Sequence, residues 1–442
     1  MGFWKRLGAF LGWGSSDGPA STPNATSRTE SAPSAPKDPQ RQAFAELFLA
    51  EAAKVATVRR IEQDAQDPFC LRVWTRDDRE PSLAYLNGIF QETRELSPER
   101  RLAQLHRFMR VFSQPDQDPD WDDLDGRLLP VLRTVGFASE SKHVLISRPF
   151  LPFVHVFVVI DHQDSVAFVG QKQLDGWQKP ASEVFESAMT TLTNYVSAAD
   201  VEPYDTDASS ALLHVAVHDD YEPSRLAAPG FLASFAGKVA GNPIAIIPDR
   251  ARMLIGGDSD PQLVARLARS AEAEYRASAR GISPAVYTVG ADGSVEPLHL
   301  ASDHPAYLLV ERGHRLLAAT GYDRQKERLE AEFKRDDIDI FVASLRLIEE
   351  NGSGALKSWA TLAEGVDSLL PEADLIAVVG AATDANNRWQ AMVPWQMVFD
   401  LAPECLVRSA EYDPPRWRTM AWPSAEVITK FRAYAAANRG KQ

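Results

Sequence analysis

From Val154 onward the chain is written in short apolar runs, VHVFVVI at Val154–Ile160 being typical, each stopping after about seven residues and each followed by a turn signal or an amphipathic stretch. Runs of that length are too short to span a bilayer, where about 20 apolar residues are needed. They are also too frequent for a helical bundle, so the expected class is α/β, of mixed α+β type, with sheets covered by helices. A chain of 442 residues is long enough for two or three such units. Val154–Ile160 reads as a central strand, with Ser165–Gly170 as its hairpin partner and a helix over 182–196. Further on, strands are expected at 211–217, 244–247 and 253–255, the last two turning at Pro248 and Asp249, with a helix over 230–239. A helix over 261–280 and a hairpin of 285–289 with 295–300 close this unit, which spans 136–302.

Two regions precede it. Residues 15–40 draw 20 of 26 positions from Gly, Pro, Ser, Thr, Ala and Asn and hold no large apolar side chain, so they are expected to be a disordered linker. Residues 1–14 place Phe3, Trp4, Leu7, Phe10 and Leu11 on one helical face with Lys5 and Arg6 off it, a composition suited to a membrane surface. A protein groove would serve the same segment, and a truncated secretory signal is a third reading, although no small-residue cleavage site follows. From 41 to 135 a helical subdomain is expected, with helices over 41–60, over 82–94, and from Ser97-Pro98-Glu99, where serine caps and proline takes the first turn.

The stretches HDDYEPSRLAAPGFL at 218–232, NPIAIIPDRARMLI at 242–255 and DGSVEPLHL at 292–300 resemble the YtpQ-like family of bacterial proteins of unknown function, over roughly 137–300. The resemblance implies a bacterial, cytosolic setting and brings no established activity, so it assigns no functional residue. After it, a second α/β unit spans 303–442. It is expected to hold strands at 307–310, 338–347, 375–379 and 392–399 and helices at 323–337 and 356–369. The order echoes 211–255, as a diverged repeat would.

Charge and cysteine content narrow function. With 47 basic and 61 acidic residues the net charge is −14, against non-specific nucleic-acid binding. Two cysteines, Cys70 and Cys405, fit a reducing compartment and exclude thiolate-rich metal sites. Six aspartates between Asp116 and Asp125 fail the calcium-loop template, having Trp121 where glycine belongs and Arg127 where a bidentate glutamate belongs. No phosphate-binding loop, HExxH or GxSxG occurs, and no cofactor or metal is expected.

Two constellations remain. His214 and His218 lie four apart, with Asp219, Asp220, Glu222 and Arg225 just beyond, imidazoles and carboxylates that suit a ligand, a partner or acid–base work. Trp389, Trp395, Trp417 and Trp422, interleaved with Arg388, Arg408, Arg416 and Arg418, supply the residue types of interface hot spots. The expected function is recognition of a protein partner by a cytosolic, non-enzymatic protein, with residues 1–14 as a tether to the inner face of the membrane. The alternative is a hydrolase or metal-dependent enzyme centred on 214–225.

Overall fold

The computed structural model describes residues 39–438, except 64–68, 76–81, 87–88, 91–92, 95, 110–118, 138–143, 163–164, 197–200, 205–211, 216–220, 279, 351–352 and 381–389. Residues 1–14, and with them Phe3, Trp4, Leu7, Phe10 and Leu11, lie outside the described residues. The chain is of the α+β class, as its pattern of short runs requires. Among the described residues no helix is long and apolar enough to cross a membrane.

The first unit corrects the expectation of a purely helical subdomain. Helix α1 (Pro39–Ala52) is followed by a three-stranded antiparallel sheet of β1 (Val58–Gln63), β2 (Cys70–Thr75) and β3 (Ser82–Tyr85), and then by α2 (Pro98–Met109). The signal missed was period two in β2, where Leu71 and Val73 are buried and Arg72 between them is exposed. The expected helix over 82–94 therefore begins as a strand. Phe44, Phe48, Leu71, Val73, Phe90, Leu105 and Met109 share one core, and the Phe44, Phe69 and Phe90 rings meet within 6.2 Å.

Strand β4 (Leu128–Thr134) precedes the boundary expected at 135 yet belongs to the next sheet. It pairs antiparallel with β6 (Val154–His162), and β6 also carries β5 (Ser147–Leu151) and β7 (Ser165–Phe168). Helix α3 (Gln171–Trp177) leads into α4 (Ala181–Tyr195), which lays Val184, Phe185, Ala188 and Leu192 at helical spacing into the core shared with this sheet.

A second, six-stranded antiparallel sheet follows, built from β8 (Val201–Pro203), β9 (Leu213–Val215), β10 (Pro243–Asp249), β11 (Arg252–Gly257), β12 (Val286–Val289) and β13 (Val295–Pro297) in the order β13-β12-β10-β11-β9-β8. Helix α5 (Pro261–Ala277), capped by Asp260, packs on it. Alternation in β10 serves two cores. Ala245 and Ile247 join the core that includes β4 and β6, while Ile244 and Ile246 join the one with α5. The helix expected over 230–239 is only a short 3-10 turn at Leu232–Phe235.

Helix α6 (Tyr307–Arg335) is continuous over 29 residues, so the strand expected at 307–310 is corrected to its first turn. Val310 belongs to a stripe continued by Leu317, Leu329 and Phe333, and an apolar run as short as YLLV does not separate strand from helix. The close seating of α6 depends on glycine: a Cβ on Gly313 would stand 2.4 Å from the Pro284 carbonyl oxygen. Gly313→Ala is expected to push α6 outward and cost about 1–3 kcal/mol, measured as a lower urea midpoint. An unchanged midpoint would show that the helix is not held against that strand entry.

The C-terminal unit has two four-stranded sheets. One runs β14-β17-β21-β20, from β14 (Phe341–Val342), β17 (Ser368–Pro371), β20 (Leu406–Ser409) and β21 (Arg416–Thr419); the other runs β15-β16-β18-β19, from β15 (Arg346–Glu349), β16 (Leu356–Ala363), β18 (Leu375–Val379) and β19 (Gln390–Pro394). Helices α7 (Trp395–Leu401) and α8 (Ala425–Ala437) complete it. The helix expected over 356–369 is thus two strands. With a helix at 307 and strands at 356–369, the element order that suggested a repeat of 211–255 is absent, and β16 runs parallel to β18 where β10 and β11 are antiparallel.

Candidate functional site

Of the first expected constellation, His214 sits on β9 opposite Leu254 and Glu202, its ring edge-on to Tyr204 at 5.6 Å. His218, Asp219 and Asp220 lie outside the described residues. Arg225 is fully buried in the 3-10 turn Pro223–Ala227, its guanidinium over the Tyr195 ring at 5.6 Å. Neighbouring Glu222 accepts a 2.7 Å bond from the Met253 backbone amide. This half of the constellation is internal packing, and Arg225 is not open to a surface ligand.

The tryptophan and arginine cluster is corrected in the same direction. Trp395 is 9% exposed and meets Trp417 at 6.1 Å, and Trp417 in turn packs on Phe399 at 4.6 Å. Arg416 has no exposed surface. Its guanidinium donates to Gln325 Oε1 at 2.5 Å, Ala343 O at 2.7 Å, Leu369 O at 3.0 Å and Tyr322 O at 3.1 Å. Burial pulls the Arg416 pKa down to about 10, which leaves it charged at neutral pH. Trp389 lies outside the described residues. Trp422 and Arg418 reach a groove of about 560 Å³, which they line with Leu362, Val366 and Met420.

A different group has the chemistry of a site. Among the described residues, His299, Glu311 and His314 bring one ligand atom each to within 4.8 Å of one another. Glu311 and His314, at i and i+3, occupy one face of the first turns of α6. His299 follows β13 by two residues and is 73% exposed. The Glu311 Oε1 atom is 3.6 Å from His314 Nδ1 and 3.9 Å from His299 Nδ1, and the two rings stand 5.2 Å apart at 63°. Ligands about 2.1 Å from a tetrahedral ion are about 3.4 Å from each other, so the two Glu311 edges close by a few tenths of an ångström and the ligand atoms, all within 4.8 Å, draw together by movement of the exposed His299. The His314 nitrogen that faces Glu311 is Nδ1, and its other ring nitrogen, Nε2, is enclosed and makes no hydrogen bond.

The carboxylate is held from behind. Arg315 Nη1 donates to Glu311 Oε2 at 2.7 Å, and the same guanidinium grips Asp374 at 2.8 and 3.0 Å. Asp374 Oδ2 also accepts from the Ser358 amide at 2.7 Å and its hydroxyl at 2.8 Å. A bond from His314, reinforced by Arg315, holds the Glu311 carboxyl below its ordinary value against the opposing effect of burial. For Asp374 burial works upward, but the Arg315 and Ser358 bonds together outweigh it and the carboxyl is lowered. A lowered folded-state pKa adds stability that is present above the unfolded carboxyl value, 3.8 for this aspartate, and is lost as pH falls through the folded value. The stability gap between wild type and Asp374→Asn, read by urea unfolding, is therefore expected to be constant well above the unfolded value of 3.8 and to narrow as pH falls below it. A gap that widens as pH falls would contradict the assignment.

The site was missed in the sequence because 307–310 reads as a strand, which breaks the helical face shared by Glu311 and His314. The available signal was the E-x-x-H spacing with a histidine shortly upstream. Comparison with protein-family models, curated proteins and solved structures returns no match. The resemblance to the YtpQ-like family therefore rests on the residues quoted for it.

Proposed function

We propose that this protein binds a divalent transition-metal ion through His299, Glu311 and His314. The observation that carries the reading is convergence: two imidazoles and one carboxylate from two separate elements point ligand atoms at one spot, with the carboxylate pre-oriented by an Arg315–Asp374 pair. Two nitrogens and one oxygen suit zinc and its neighbours rather than calcium or magnesium, which take all-oxygen sets. Three protein ligands leave one coordination position for water. Isothermal titration of the full chain with zinc is expected to show one ion per chain with a dissociation constant of about 1 µM, roughly −8 kcal/mol. Absence of saturable binding up to 1 mM, about −4 kcal/mol, would sink the reading.

A second reading, recognition of a cytosolic protein partner, is favoured by the groove beside Trp422, where Met420 is 62% exposed and an Arg418–Asp367 ion pair marks the rim. Its occupant would be a short apolar peptide segment. Peptides selected by display on the full chain should lose binding to Met420→Asp; equal binding to that variant would remove the groove from consideration.

A further inference from the structure

We infer that Arg315 is the residue that decides which ion the site accepts. The inference rests on the ion-binding reading above and concerns the number of oxygens Glu311 can offer. A free carboxylate chelates through both oxygens and so favours ions with large or octahedral shells. Here Oε2 accepts from Arg315 Nη1 at 2.7 Å while Oε1 faces both histidines, so an ion that chelates through Oε2 has to compete with that bond, and Oε1 is the favoured donor.

Arg315 cannot readily follow an ion that pulls on Glu311. Its Nε and Nη2 are fixed on Asp374 at 2.8 and 3.0 Å, and Asp374 is pinned by two bonds from Ser358. Asp374 and Ser358 lie at the sheet of β16 and β18, whereas the ligands belong to α6 and the loop after β13, so that sheet completes the site. The bound ion then sees two nitrogens, one oxygen and water, four ligands in all. That count suits zinc or cobalt and disfavours manganese, which prefers six mainly oxygen ligands.

The test uses the full chain, wild type and Arg315→Met, each titrated with zinc, manganese and cobalt(II). Removing a positive charge raises affinity for every divalent cation alike, so the ratio of zinc to manganese affinity is the quantity that isolates geometry. That ratio is expected to fall at least about 10-fold in Arg315→Met. The visible absorption of bound cobalt should weaken at the same time, as four-coordination gives way to five or six. Arg315→Lys, which can still reach Oε2 with one donor, should restore most of both. Where Arg315→Met leaves Asp374 unpaired and the chain unfolds, the double variant Arg315→Met/Asp374→Asn removes both charges and is read instead. Wild type that binds none of the three ions overturns the ion-binding reading itself. Wild type that binds zinc while the variants keep its ratio and cobalt spectrum overturns this inference alone.

Discussion

Arg416→Ala is expected to destabilise the C-terminal unit by about 3–5 kcal/mol, the cost of leaving several buried acceptors without a donor and a large side chain's space empty. The guanidinium satisfies four acceptors from three places in the chain: Gln325 and Tyr322 on α6, Ala343 after β14 and Leu369 on β17. Its removal leaves those oxygens without a donor in a space that water does not reach, and leaves a cavity in addition. Arg416→Lys keeps the charge but replaces a planar fork by a single ammonium, and is expected to recover less than half of the loss. Urea unfolding followed by tryptophan fluorescence reads the effect directly, since Trp395 and Trp417 lie in the adjoining core. A loss below about 1 kcal/mol, the size of one ordinary hydrogen bond, would mean that the network is not the strut between α6 and the C-terminal sheets.

His314→Ala is expected to weaken zinc binding more than about 100-fold, beyond what loss of a supporting partner costs. Unlike the exposed His299, His314 is held with Glu311 on one helix face, both side chains being under 20% exposed. The same substitution should abolish stabilisation by zinc, which for wild type at 100 times the dissociation constant is about 2.7 kcal/mol. Thermal melts with and without zinc measure this. Unaltered zinc stabilisation in the variant would place the ion elsewhere.

The parts of the fold that were legible in sequence are those where one local pattern had one meaning. Val154–Ile160 is a long β-branched run and became β6, and the two apolar runs expected to turn at Pro248-Asp249 became the β10–β11 hairpin, with its turn two residues later at Arg250 and Ala251. The stretch 356–369 had two meanings. Leu356, Trp359, Ala360 and Ala363 fall at helical spacing, while Leu356, Ser358, Ala360 and Leu362 alternate inward in the strand that forms. What decided between them was the turn at Gly365, whose φ of +75° ends β16 and lets β17 start at Ser368.

The site was hidden by distance rather than by ambiguity. Asp374 lies 59 residues beyond the Arg315 that it anchors, and no spacing rule links them. Residue type misled as well. Trp395, Trp417 and Arg416 are the side chains that dominate interfaces, but planar groups that stack and donate in several directions serve an interior equally well. Burial, which composition does not encode, separates the two uses.

The most direct test of the ion site is a crystal of the full chain grown with zinc, with diffraction recorded at the zinc absorption edge. The expected result is one anomalous peak bounded by His299, Glu311 and His314, with Arg315 still on the second Glu311 oxygen. A strong peak only at the exposed aspartates Asp120, Asp122, Asp123 and Asp125, or none at all, would contradict it.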